Sequence, residues 1–231
     1  LVAYPIQTGE LHIWQYVVNE ADYFTENFTP ILSSEETEKS SQFIHEKDRI
    51  KYICNRRFLR SVLSRYLNIN SKEIEFSYTP LGKPYVKNSG LFFNLSYRNK
   101  YGLLAVSIDA EVGVDIEYMK DLQDIVTFSD YSFSEAEKAM IFANAKTNKE
   151  ILFTFWTFKE AFIKATGTGL SVDISQINLA DFYHHETILL PYDHNAIWTL
   201  KRLEAEEGYK AAFAIKGKAE KILRFEYVTA I

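Results

Sequence analysis

In the run Gly113-Val114-Asp115-Ile116-Glu117 two carboxylates stand two residues apart. A strand would turn both to one face, with about 6 to 7 Å between their Cα atoms. Such a pair can share one cation. Its repulsion is only about 2 kcal/mol at an effective dielectric near 20, so an exposed strand face accounts for the same spacing. A second cluster lies in Trp156-Thr157-Phe158-Lys159-Glu160-Ala161-Phe162-Ile163-Lys164. Phe155, Phe158 and Phe162 form a core stripe there, and Trp156, Glu160 and Lys164 fall on a neighbouring stripe at i, i+4 and i+8. Either Glu160 and Lys164 are an ordinary exposed pair, or Glu160 completes the carboxylate set while Lys164 faces phosphate. A hard divalent cation such as magnesium suits the second reading, because it takes oxygen ligands and is held by a few carboxylates together with substrate phosphates.

Other chemistries find less support. His184 and His185 are adjacent, His12 and His45 stand alone, and His194 sits in a distant polar segment. Neither a G-x-S-x-G elbow nor a Walker loop is present, and Gly167-Thr168-Gly169 does not open a helix after a strand.

These residues need elements to hold them. Leu11–Val18 reads as a strand, and Ser33-Ser34 followed by Glu36 and Glu38 as a capped helix start. From Lys47 to Leu67 the apolar residues Ile50, Cys54, Phe58, Val62 and Tyr66 recur at helical spacing, with Arg49, Arg56 and Arg60 together on another face, read as solvated in preference to an anion site. Ser77–Pro84 reads as a loop, Leu91–Leu95 as a strand, and Ser96-Tyr97-Arg98-Asn99 as a turn. Leu103–Ile108 and Val112–Glu117, joined by Asp109–Glu111, read as an antiparallel pair. Ser134 opens a further helix. Ile151–Thr166 is a long aromatic-rich helix stopped by Gly167, and the chain beyond Ser171 reads mostly as strands. Tyr101–Ile108 is loosely echoed by Tyr209–Ile215, which points to a two-fold pseudo-repeat joined near residues 109–112.

Composition limits the rest. With 231 residues, 47% hydrophobic and 25% charged, the chain has material for a real core. A formal charge of -5 argues against a surface devoted to nucleic acid, so a bound anion must meet a local basic site. One cysteine, Cys54, fits a reducing, cytoplasmic setting, and no apolar run approaches the length of a membrane span.

The ordered motifs resemble those of the 4'-phosphopantetheinyl transferases, specifically the monomeric class that activates surfactin synthetase. They are Leu81-Gly82-Lys83-Pro84, Phe93-Asn94-Leu95-Ser96, Val112 to Glu117, and Phe155 to Lys164 followed by Gly167 and Gly169. The resemblance implies an α+β fold, a pseudo-dimer of two similar halves (1–110 and 111–231) with the active site in the cleft between them. It also implies a reaction: the serine hydroxyl of an apo acyl or peptidyl carrier protein attacks the β-phosphate of coenzyme A, releasing adenosine 3',5'-bisphosphate. By the same resemblance Asp115, Glu117 and Glu160 are magnesium ligands, Glu160 takes the serine proton, and Lys164 stabilises the phosphates. Lys83, Pro84, Ser96 and Tyr97 would line the coenzyme A site, with Lys39 and Lys51 facing its 3'-phosphate.

Several positions temper the match. Tyr97 stands where the family commonly has histidine, Glu36 where some relatives carry lysine, and Glu137 matches an acid near the family's active site although its place in a helix's first turn also explains it. The segment from Tyr118 to Phe133, with Leu122, Ile125 and Phe128, is the expected docking surface for the carrier unless those residues are core. Two other readings remain at this point: a homologue that binds coenzyme A or carrier without transfer, supported by Tyr97 alone, and a magnesium-dependent glycosyltransferase using the acidic pair.

Overall fold

A computed structural model describes residues 4–18, 31–122, 124–185, 187–192 and 196–228. His194 and the Asn19-Glu20 end of the first expected strand lie outside them. The chain runs β1 (Glu10–Val17), α1 (Ser34–Ser41), α2 (Glu46–Leu67), β2 (Phe76–Tyr78), β3 (Pro84–Val86), β4 (Phe92–Arg98), β5 (Tyr101–Ser107) and β6 (Val112–Tyr118). It continues through α3 (Ile125–Ser132), α4 (Glu135–Phe142), α5 (Asn148–Thr166), β7 (Thr187–Tyr192), β8 (Ala196–Leu203), β9 (Tyr209–Lys216) and β10 (Lys221–Tyr227).

Two four-stranded sheets, ordered β10-β1-β5-β4 and β6-β9-β8-β7, form the frame. The two-residue period of each strand explains how they stack. On β1 and β5, Trp14, Tyr16, Leu104 and Val106 pack with Phe58, Leu59 and Val62 of α2. The alternate residues Leu11, Ile13, Leu103 and Ala105 pack against Val112, Val114, Ile116, Phe213 and Ile215 of the second sheet. That sheet's far side, including Ala212, Ala214 and Leu200, receives the Phe155, Phe158 and Phe162 stripe of α5. The layers therefore run helix, sheet, sheet, helix. Each four-stranded sheet is covered by one long helix, in keeping with the two-halves architecture the motifs imply. The partition is not strict in sequence, because β10 pairs in parallel with β1, Trp14 lying opposite Phe225.

Local signals explain the helix ends. Ser33 and Glu36 form a reciprocal capping box on α1, Ser134 and Glu137 another on α4, and Gly167 ends α5 at φ 69°. Four sequence expectations need correction. β5 pairs with β1 and β4, not with β6, so the 109–112 link steps from one layer to the next. Ser77–Pro84 is not a plain loop, since Phe76–Tyr78 and Pro84–Val86 pair as a hairpin, and the strand at 92 continues through the expected turn to Arg98. The arginine face of α2 is not uniformly solvated. Arg60 is buried and donates to Glu36 Oε2 at 2.5 Å, and Arg56 donates to Glu36 Oε1 at 2.5 Å. Both guanidiniums lie over the Phe76 ring, and of the three only Arg49, paired with Glu46, keeps the expected exposure.

Candidate active site between the two sheets

The edge strand of each sheet is left without a ladder partner on one side, and side chains supply the missing bonds. Asn94 and Ser96, two residues apart on β4, both turn toward β6. Asn94 Oδ1 accepts from the Val114 backbone N–H at 2.9 Å, and Ser96 Oγ accepts from that of Ile116 at 3.4 Å. The Asn-x-Ser element is thus a staple that fixes β6 relative to the first half. On the other side α5 lies against β6 so closely that a Cβ on Gly113 would sit 2.1 Å from the Ala161 carbonyl oxygen and 2.3 Å from the Ala165 nitrogen. No other residue fits there. That contact brings Glu160 and Lys164, each the neighbour of one of those alanines, up to the carboxylates of β6.

Asp115 is 2% exposed. Its Oδ1 accepts from Lys164 Nζ at 2.5 Å and from Ser96 Oγ at 3.0 Å, and Lys164 Nζ also reaches Ser96 Oγ at 3.0 Å. Asp115 Oδ2 is buried with no hydrogen-bond partner, and the same holds for Glu117 Oε2. Arg98 Nε lies 3.0 Å from Glu117 Oε2 at an angle that makes an ion pair but not a hydrogen bond. Burial, then the charge of Asp115, pushes the Glu117 carboxyl above its usual range. Burial likewise raises Glu160, the charge of Lys164 opposing and those of Asp115 and Glu117 adding to the rise. Asp115, Glu117 and Glu160 feel one another's charge, and two of the three carry a buried oxygen without a hydrogen bond; carboxylates are the donors magnesium takes. Among the described residues, none of the His, Cys, Asp and Glu side chains converge tightly enough to hold a metal as they stand. The nearest cation to Asp115 is Lys164 itself.

A cleft of about 280 Å³ opens beside this cluster, lined by Leu81, Gly82, Lys83, Pro84, Asn94, Glu160 and Lys164. Lys83 and Pro84 line the same cleft as Glu160 and Lys164. Lys83 is not free, however: its ammonium donates to Glu111 Oε2 at 2.5 Å and to the Ala165 carbonyl at 2.6 Å. Burial lowers its pKa and Glu111 opposes that fall. Tyr97, facing away from Ser96 on the same strand, is half exposed and lines a separate cavity of about 310 Å³ with Lys51, Tyr52 and Arg98. Lys51 lies 3.6 Å from Asp48, and Lys39, exposed on α1, lies 5.7 Å over the Tyr52 ring. The expected basic positions thus form two groups, one at the carboxylates and one along α1 and α2.

Glu137 does not face this cleft. It is fully buried, closes its capping box, accepts from the Leu179 N–H at 3.0 Å and pairs with the fully buried Lys159 at 2.6 Å. Lys159 also donates to the carbonyls of Ser132 and Ile174, and burial lowers its pKa while the charge of Glu137 resists. This lysine has the same charge and helix as Lys164 but the opposite role, tying α5 to α4 and its flanking turns. Leu122, Ile125 and Phe128 pack on the second core, while Val126 and Tyr131 point outward. Sequence reasoning gave no role to Asn94, Gly113, Glu111 or Lys159. Only Asn94 carried a readable signal, its two-residue spacing from Ser96.

Known proteins resemble this chain along most of its length. Residues 19–109 match the family model described as 4'-phosphopantetheinyl transferase, N-terminal, and residues 111–214 that of the 4'-phosphopantetheinyl transferase superfamily. The chain is 28% identical over 220 residues to the 4'-phosphopantetheinyl transferase HetI of a Nostoc species, covering 91% of this chain and 89% of that one. It is 29% identical over 192 residues to the 4'-phosphopantetheinyl transferase Sfp of Bacillus subtilis, covering 81% and 83%. A solved holo-[acyl-carrier-protein] synthase of Thermotoga maritima aligns with 47% of this chain and 63% of its own at 17% identity and a TM-score of 0.31, a likeness too slight to add to these matches. Two family models meeting at the junction between the sheets, with relatives matched along most of their own length, show that the chain belongs to the 4'-phosphopantetheinyl transferase superfamily.

Proposed function

We propose that this protein transfers the 4'-phosphopantetheine group of coenzyme A to a serine hydroxyl of an apo acyl or peptidyl carrier protein and releases adenosine 3',5'-bisphosphate. The observation that carries the reading is the meeting of Asp115, Glu117, Glu160 and Lys164 beside one cleft between the halves, in a chain of this superfamily. In the reaction the serine oxygen forms a bond to the β-phosphorus as the bridging oxygen on the adenosine side departs. Glu160, whose raised pKa makes it a better base than an ordinary surface glutamate, is suited to accept the hydroxyl proton. Lys164 is suited to offset charge on the phosphates, and Lys83 and Ser96 to orient them. Pro84 and Tyr97 complete the coenzyme A site, with Lys39 and Lys51 toward its 3'-phosphate.

Asp115, Glu117 and Glu160 would hold magnesium, which when bound supplies positive charge to the pyrophosphate. The chain acts as a monomer in the cytoplasm, needs neither nucleic acid nor membrane, and has no described helix long and apolar enough to cross a bilayer. The test is chromatographic detection of adenosine 3',5'-bisphosphate from coenzyme A in the presence of an apo-carrier. Release with a carrier whose acceptor serine is intact, and none with its serine-to-alanine variant, is expected. Equal release from both would mean hydrolysis instead of transfer.

A further inference from the structure

Lys164 does not point toward open solvent in the cleft. Its ammonium sits 2.5 Å from Asp115 Oδ1 and 3.0 Å from Ser96 Oγ, bonded to the most deeply buried carboxylate of the cluster. The two oxygens left without hydrogen bonds, Asp115 Oδ2 and Glu117 Oε2, belong to the residues whose charges this ammonium partly balances. A divalent cation entering the cluster would meet that ammonium on Asp115 and repel it. The stem is only partly covered, with the side chain 28% exposed, so it has room to swing.

We propose that Lys164 is a built-in counter-ion that holds the metal's place on Asp115, and that divalent cation binding displaces it and frees its ammonium for the substrate phosphates. This rests on the magnesium reading given above. The lysine then has two positions rather than one. With the pocket metal-free its ammonium is bonded to Asp115 and Ser96; with metal present it is released toward the cleft, where Glu160 and Lys83 also lie. The arrangement costs affinity, since the cation must break a charge-assisted hydrogen bond, a loss on the order of tenfold to a hundredfold. It also couples the order of events, because the phosphate-facing charge becomes available only when the carboxylates are occupied.

The consequence is unusual for a residue of the catalytic machinery: removing it should strengthen metal binding. Manganese binding to the whole protein without coenzyme A, followed by electron paramagnetic resonance of the free ion, reads this directly. Lys164→Met is expected to bind manganese at least tenfold more tightly than wild type while losing transfer, and Lys164→Arg to return affinity to near the wild-type value. Adding Glu117→Gln to Lys164→Met should abolish the gain. Lys164→Gln replaces the methionine variant if circular dichroism shows that one to be misfolded. Equal or weaker binding by Lys164→Met, tight binding that survives Glu117→Gln, or no manganese binding by any form overturns the proposal. Chelator-sensitive transfer by wild type alongside an unchanged affinity would overturn the displacement alone. Chelator-resistant transfer would remove the magnesium reading with it.

Discussion

Replacing Gly113 with alanine adds one methyl group where backbone lies 2.1 and 2.3 Å away, against about 3.4 Å for ordinary contact. Helix α5 must therefore withdraw from β6 by about 1.3 Å. Glu160 and Lys164 flank the two contact points and move with it, while Asp115 and Glu117 stay on the strand. A misplacement near 1 Å costs on the order of 100-fold in rate. Overpacking of this kind costs about 1–3 kcal/mol, which for a chain of this size lowers Tm by roughly 2–12 °C. Calorimetry and carrier-transfer rates measured on the same preparation test both numbers. Because the obstructing atoms are main-chain oxygen and nitrogen, Ala165→Gly in the same molecule should not rescue activity. A Gly113→Ala protein with wild-type Tm and turnover within twofold of wild type, or rescue by Ala165→Gly, would refute the claim that helix-to-strand proximity positions the site.

Other consequences can be checked alongside. Glu137→Ala leaves the Lys159 ammonium fully buried without its partner, which costs about 3–5 kcal/mol and should lower Tm by roughly 6–20 °C; an unchanged melting curve would show that this pair is dispensable. Glu160→Gln should cut turnover at least about 100-fold while leaving Tm equal to or above wild type in chelator, since the amide removes a half-buried charge that feels Asp115 and Glu117; parallel loss of Tm and activity would make Glu160 a structural residue. Burial favours protonation of Glu36, but the hydrogen bond from Arg60 and the charges of Arg56 and Arg60 win and hold its pKa below 4.5. The stability it contributes is therefore full above about pH 4.5 and lost as pH falls through the lower folded value. Urea unfolding of Glu36→Gln should show a smaller stability difference between pH 3 and pH 7 than wild type, and an equal difference would contradict the assignment.

The chemistry was more legible in the sequence than the connections. Asp115 and Glu117 had to share a face because a strand alternates, and Glu160 and Lys164 because a helix repeats every 3.6 residues. Strand β5 is buried on both faces, so no alternation marks which neighbour it takes, and a four-residue link to β6 serves a step between layers as readily as a hairpin. Parallel addition of β10 to β1 joins residues some 200 positions apart, which local pattern cannot reveal. Lys159 and Lys164 look alike in sequence, yet one is buried on Glu137 and the other partly exposed on Asp115, because five residues of helix turn them to different neighbours. Arg56 and Arg60 looked like a solvated face because Glu36, the carboxylate they share, lies on another helix.

The most direct test of the account is intact mass spectrometry of a purified apo-carrier protein after incubation with this protein, coenzyme A and magnesium, beside a chelator control and the Asp115→Ala variant. The account predicts a mass gain of one 4'-phosphopantetheinyl group with wild type, and none with chelator or with Asp115→Ala. A gain that persists in both controls would contradict the roles given to the carboxylate cluster, and no gain with any of several carriers would contradict the transfer itself.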